Sequence, residues 1–306
     1  MRRGVALLAV ALAGACHGEF SVAQRFDAAQ AMRWVTYQVN AGPRVPGMPA
    51  HDSIEAWLVR ELKARADSVA VQAFTYVTQP GDKYHPAGDT LHLANILARF
   101  RPADPNRILY LTHWDTRPVA ENDPNPANRD KPIPGADDGA SGTAMLLEVA
   151  DVLKRYPPGV GVDLLFVDGE DYGDFDTMKD VLLGSTYFAQ HLPPGYHPLF
   201  GVLWDMIAGR DQVIEEEDNS VQFAPEVVDR VWSTADSLGL GGMFRRTDAG
   251  AIIDDHVPLL QAGLRVIDVI GWRNYQTWHH TLQDTPDKLS LASMQGVGRL
   301  AVALLR

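Results

Sequence analysis

Between Leu91 and Leu305, short aliphatic runs alternate with segments whose apolar residues recur every three or four positions. Ile108 to Thr112, Val162 to Val167, Phe200 to Met206 and Leu264 to Ile270 are predicted strands. Helices are predicted between and after them, over Ser141 to Tyr156 (apolar at Ala144, Leu147 and Leu153), Thr186 to His191, Pro225 to Leu238 and Ser290 to Leu305. A strand that returns to the same sheet through a helix must run parallel to its predecessor, so this order dictates a mainly parallel sheet with helices on both faces. Upstream, Phe26, Ala29, Met32 and Val35 have helical spacing that ends near Gly42, and Ile54, Trp57, Leu58 and Leu62 follow Pro49 in the same way. Val69, Val71 and Ala73 alternate as in a strand, Leu91 to Phe100 is another, and the Pro-, Asn- and Asp-rich stretch from Pro124 to Pro134 is a loop. No repeat or low-complexity linker interrupts the pattern. The expected fold class is therefore α/β, a single domain with a mixed, mostly parallel sheet covered on both faces.

The 306 residues carry a net charge of −12 and no basic patch, which argues against a nucleic-acid partner. Residues 1–23 are set apart as a targeting segment. Arg2 and Arg3 precede an apolar stretch, Val5 to Ala15, that is too short to span a bilayer. Ser21-Val22-Ala23 has the small-x-small form of a cleavage site that would leave Gln24 first. Alternatively, Leu12 to Cys16 resembles a lipoprotein signal, which would put a lipid anchor on Cys16. Either route makes residues 24–306 an exported domain, periplasmic, secreted or tethered to a membrane. Cys16 is the only cysteine, so the domain has no internal disulfide, thiol nucleophile or cysteine metal ligand.

In such sheets ligands bind beyond the carboxyl ends of the strands. Polar clusters fall at five such places: His113 and Asp115 in "HWDTRP", "GADDGASG" at 135–142, "DGEDYG" at 168–173, Asp205 in "LWDMI", and His280 in "HHTLQD". One pair proves little: Asp137 and Ser141 suit a helix cap, and Glu170-Asp171 suits a solvated loop. Five clusters in step with five strand ends point instead to imidazole and carboxylate groups gathered at one site, the usual ligands of a catalytic zinc.

With these motifs in this order, together with "GPRVPG" at 42–47, "NDP" at 122–124, "LLGS" at 182–185 and "DDHVPLL" at 254–260, the chain resembles the zinc-dependent M28 peptidase superfamily. Within it, the likeness is to bacterial members of the animal-type glutaminyl-peptide cyclotransferases. The resemblance implies that Asp138, Asp171 and His280 ligate zinc, that Glu170 is the general base, and that Asp254 and Asp205 belong to the proton-sharing network around it. It also implies that His113 and Asp205 are the ligands of a second zinc in two-metal aminopeptidases, persisting in cyclases that bind one. Two departures from the family pattern bear on the pocket. The tryptophan expected before the ligand histidine is His279, with Trp278 one place earlier, and a second pocket tryptophan aligns on Asp176. Trp278, Trp204 and His279 are accordingly expected to bind substrate, with Trp272 and Tyr275 as further aromatic candidates, although aromatics there equally suit a core.

The implied reaction is conversion of an N-terminal glutamine of a peptide or protein to pyroglutamate with release of ammonia, using one zinc. The alternative is hydrolysis of N-terminal residues by a two-zinc aminopeptidase, for which every ligand is also present. A binding protein with a degenerate site is disfavoured, because Glu170, Asp138 and His280 are all retained.

Overall fold

The computed structural model describes residues 22–81, 88–271 and 277–306. Cys16, the segment before Val22, and Trp272 and Tyr275 lie outside the described residues. Six strands form the main sheet: β1 (Ser68–Val77), β2 (Thr90–Phe100), β3 (Arg107–His113), β4 (Gly161–Val167), β5 (Phe200–Asp205) and β8 (Val266–Ile270), in the order β1-β2-β4-β3-β5-β8. The pairings from β4 through β3 and β5 to β8 are parallel, while β1-β2 and β2-β4 are antiparallel. The sheet is thus mixed, its parallel half built from the strands that alternate with helices.

The central strands are apolar on both faces because both faces are covered. Tyr110, Leu164, Phe166, Val202 and Val269 pack into one core with helices α1 (Ala28–Ala41), α2 (Pro49–Lys63), α3 (Ala140–Arg155), α6 (Pro225–Ser237) and α8 (Leu291–Ala303). Leu109, Leu111, Leu165, Leu203 and Val266 face a second core with Phe188 of α4 (Leu183–Gln190) and Leu259 of α7 (His256–Gln261). Each such buried side chain contributes about 1.5–3 kcal/mol, which fixes register and layer order together.

Four short elements were not expected from the sequence: β6 (Ile214–Glu216), β7 (Phe244–Asp248), α5 (Asp218–Phe223) and α7. β6 and β7 make a small separate parallel pair, and α5 follows β6. β7 is largely exposed and charged, so it lacks the alternation that betrays a half-buried strand.

Candidate active site

The carboxyl ends of β3, β4, β5 and β8 open onto one side, and the five polar clusters meet there. Close packing of the "GADDGASG" turn makes this possible. Gly139 has φ +86°, and a Cβ on it would lie 2.6 Å from the Asp115 carbonyl and 3.0 Å from His113 Cε1. Only glycine lets the turn bring Asp138 against His113. At Gly142 a Cβ would lie 2.4 Å from the Trp204 carbonyl, so the first turn of α3 rests directly on β5.

Asp138 stands between two histidines. His113 Nε2 lies 3.1 Å from Asp138 Oδ1 and 3.2 Å from Asp205 Oδ1. His280 Nε2 lies 3.0 Å from Asp171 Oδ1 and 3.8 Å from Asp138 Oδ2. His279 stacks on His280, ring centres 3.5 Å apart, and also reaches Asp138. These groups are all buried, and two of their acceptors, Asp138 Oδ2 and Asp171 Oδ2, accept no hydrogen bond. Buried orphan acceptors are costly unless something positive meets them. The donor set is nitrogen and carboxylate oxygen, and ligands about 2.0 Å from a tetrahedral ion lie about 3.3 Å apart. Asp138, His279 and His280 bring ligand atoms about one point, with Asp171 Oδ1 3.0 Å from His280 Nε2 beside them, and His113, Asp138 and Asp205 form a second group of the same kind; the donor chemistry of both suits zinc.

Glu170 lines the cleft beside Asp171, and its Oε2 is 3.7 Å from His113 Nδ1. Burial first, and then the neighbouring Asp171, push its carboxyl well above the usual range. Asp254 lines the same cleft, and burial together with Asp205 and Asp255 pushes it well up too. Asp205 is raised by burial, with His113 opposing. Asp255 turns away to the Ser185 hydroxyl, so of the two aspartates of "DDH" it is Asp254 that faces the cleft.

A ring of buried groups holds these side chains. Asp115 accepts the backbone N–H groups of Glu170 and Asp171, each at 3.2 Å. Asp284 accepts those of Asp137 and Asp138 at 2.8 and 3.1 Å. Arg117 donates to the carbonyls of Asp171 and Gly173 at 2.9 and 2.6 Å, and Asp123 of "NDP" accepts the Leu282 N–H. Arg44 of "GPRVPG" is buried and donates to the carbonyls of Trp114, Pro134, Gly135 and Asp138. Asp137 is no helix cap: it accepts the Ala208 N–H at 3.0 Å, and the capping position is Gly139. Glu170 and Asp171 are buried and so are not a solvated loop.

The pocket wall departs from expectation. Trp204 does not bind substrate; it is fully buried in the core, its ring edge-on to Tyr110 at 5.3 Å. The alternation of β5 explains this, because Trp204 shares the face of Phe200 and Val202. Trp278 packs with Met206, Ile252 and Ile270, and so backs the wall that Ile252 and Ile270 present. His279 does line the cleft, and burial followed by His280 lowers its pKa well below the ordinary value, leaving the ring neutral. Among the described residues the cleft is lined by the aromatic Phe175, next to the Asp176 on which a tryptophan was expected; Asp176 itself is exposed. The cleft has about 200 Å3 of room.

Fold and site together define a metal-dependent α/β enzyme. The peptidase family M28 model matches residues 95–305, and the chain belongs to that family. It is 22% identical over 297 residues to the glutaminyl-peptide cyclotransferase of Bos taurus, covering 84% of this chain and 76% of that one. The glutaminyl cyclase of Bacteroides thetaiotaomicron, solved with N-acetylhistamine, superimposes with a TM-score of 0.85 at 33% identity, covering 92% of this chain and 98% of that one. A structure described as a leucine aminopeptidase precursor from the same species gives 0.86 at 34%, covering 92% and 97%. The family and its zinc-dependent exopeptidase and cyclase fold are thereby established.

Proposed function

We propose that this protein is a zinc-dependent glutaminyl-peptide cyclotransferase that binds one zinc. One observation carries the proposal: the two histidines are supported unequally. A metal-ligating histidine ordinarily gives its other ring N–H to a carboxylate, which fixes its orientation. His280 has this support, with Nδ1 2.8 Å from Glu121 Oε1. His113 is supported less closely, its Nδ1 lying 3.5 Å from Asp115 and 3.7 Å from Glu170 without good hydrogen-bond geometry to either. That contrast supports Asp138, Asp171 and His280 as the ligand set.

Zinc held there would supply Lewis-acid polarisation of the glutamine side-chain carbonyl. The remaining chemistry belongs to the chain's own groups. The cleft holds the N-terminal residue so that its α-amine faces its own γ-carbonyl, turning the attack into a unimolecular step. Glu170 takes a proton from that amine and returns it to the leaving nitrogen, so a C–N bond forms, another breaks and ammonia departs. Asp254, its carboxyl raised in pKa and facing the same cleft, keeps a proton within reach of Glu170. Incubating zinc-loaded protein with a Gln-initiated peptide tests the proposal: a mass loss of one ammonia supports it, and loss of the whole first residue overturns it.

The second reading, a two-zinc aminopeptidase, is favoured by the clustering of His113, Asp138 and Asp205 around a second point. There Glu170 would activate water against the peptide bond. The substrate is a peptide N-terminus in either case. We also propose export through residues 1–23, with the mature chain starting at Gln24 or at a lipidated Cys16. N-terminal mass analysis decides, and intact Met1 in the cytoplasm overturns both routes.

A further inference from the structure

A second cavity adjoins the cleft. The turn from Asp174 to Lys179, closed by a bridge between those two residues, separates the two, and Met178 lines both. On its far side a groove of about 330 Å3 runs between the edge strand β1 and α4, walled by Phe74, Tyr76, Val181 and Tyr187. Phe74 and Tyr187 stack with ring centres 4.2 Å apart. Asp180, which also lines the groove, is buried. Its Oδ1 accepts the Tyr76 hydroxyl at 2.9 Å, while its Oδ2 accepts nothing. The backbone here is held in an uncommon form: Met178, Asp180 and Leu182 have φ of +55°, +58° and +53°. Such left-handed positions in residues other than glycine persist where the surrounding structure enforces them.

Aromatic walls plus one buried carboxylate oxygen lacking a donor describe a receptor for a long side chain with an apolar stem and a cationic, hydrogen-bonding head. We propose that the groove is a subsite for a basic side chain, arginine above all, carried by the peptide substrate downstream of the residue in the cleft. The stem would lie along Phe74 and Tyr187, and the guanidinium would donate to Asp180 Oδ2. The basic residue lies a few positions after the first, beyond the turn at Met178 that both cavities share, and a peptide series scans that position. The wall that both cavities share at Met178 and the open Asp180 Oδ2 favour this occupant. The proposal rests on a peptide N-terminus occupying the cleft, which the cyclase and aminopeptidase readings share.

The test uses the full zinc-loaded protein and five-residue peptides that begin Gln-Ala and carry a single arginine at position three, four or five, with alanine elsewhere. One position should raise kcat/KM by about 5- to 50-fold over the all-alanine peptide, consistent with one charge-assisted contact of about 1–2.3 kcal/mol. That gain should vanish in Asp180→Asn and shrink in Tyr187→Ala. Equal kcat/KM at every position overturns the subsite. So does a gain that survives Asp180→Asn, which would reflect only attraction to a chain of net charge −12. Failure of the cyclase reading has a separate signature, loss of no ammonia from any peptide. In that event calorimetric affinities for the same peptides decide the subsite, by the same comparison between wild type and the two variants.

Discussion

The two histidines that flank Asp138 both belong to polar clusters that follow strands in the sequence, yet they sit in differently built surroundings. Around His280, carboxylate oxygens are left open and the ring is steered from behind by Glu121, itself gripped by Arg117 at 2.8 Å. Burial works against a charged Glu121, but His280 and Arg117 still hold it down to about 2. Around His113, the acids close in: Asp138 and Asp205 both lie against Nε2, and Met206 N–H already donates to Asp205 Oδ1. Although burial disfavours its cation, Asp115, Asp138 and Asp205 hold the His113 pKa well above 6.5. Acids hold both rings toward the cation, but only His280 has a carboxylate hydrogen-bonded directly behind its Nδ1. The group behind the imidazole, more than the imidazole, is where the two surroundings differ.

The largest effect should come from the residue facing both halves. Glu170→Gln keeps the shape and removes the proton acceptor, so turnover should fall by about 10²–10⁴-fold with zinc retained. Zinc loss in this variant would mean that Glu170 belongs to the ligand set. Next, Glu121→Gln should weaken zinc affinity by about 10–100-fold, as removal of a ligand's supporting carboxylate does. His113→Asn should leave one tight zinc per chain in place. If metal analysis instead finds two equivalents in the wild type and one in His113→Asn, the contrast collapses and the aminopeptidase reading gains.

The comparison also has a pH signature. In the metal-free protein burial opposes the His280 cation, but Asp171 and Glu121 outweigh it and raise the pKa to about 9. Below pH 9 that proton must leave before the ring can ligate, so zinc affinity should rise with pH up to about 9 and level off above it. Asp171, at about 6, is already ionised at pH 8. Calorimetry at pH 8 in buffers of different ionisation enthalpy should count close to one proton released per zinc. About two per chain would place an ion at His113 as well. The smallest effect concerns the wall: Phe175→Ala should raise KM by a few-fold with kcat nearly unchanged, since an aromatic contact is worth about 0.5–1.5 kcal/mol.

Much of the fold was legible because strands buried on both faces spell continuous apolar runs, as Leu109 to Leu111 and Leu164 to Val167 do. β6 and β7 were not, being short and polar. The site's acids and histidines were legible by position at strand ends. Their supports were not, because Glu121, Asp284 and Arg44 act on groups far away in the chain, Glu121 on His280 across 159 positions. Nothing in local spacing marks such a partner. Trp204 was misplaced for a different reason: strand alternation turns it into the core, to the face opposite Asp205.

Arg44 has a consequence for how the molecule comes into being. It is made early in synthesis, yet the carbonyls it binds belong to residues 70 to 94 positions later. Until Trp114 and the 134–138 turn emerge and fold, a guanidinium destined for complete burial remains in water. Closing so long a loop is slow relative to local helix formation. The ability to capture zinc should therefore appear late on the folding pathway, when the beginning of the chain locks onto its middle. A refolding experiment that follows metal uptake should lag one that follows helix content, and Arg44→Lys, unable to span four carbonyls, should lengthen that lag.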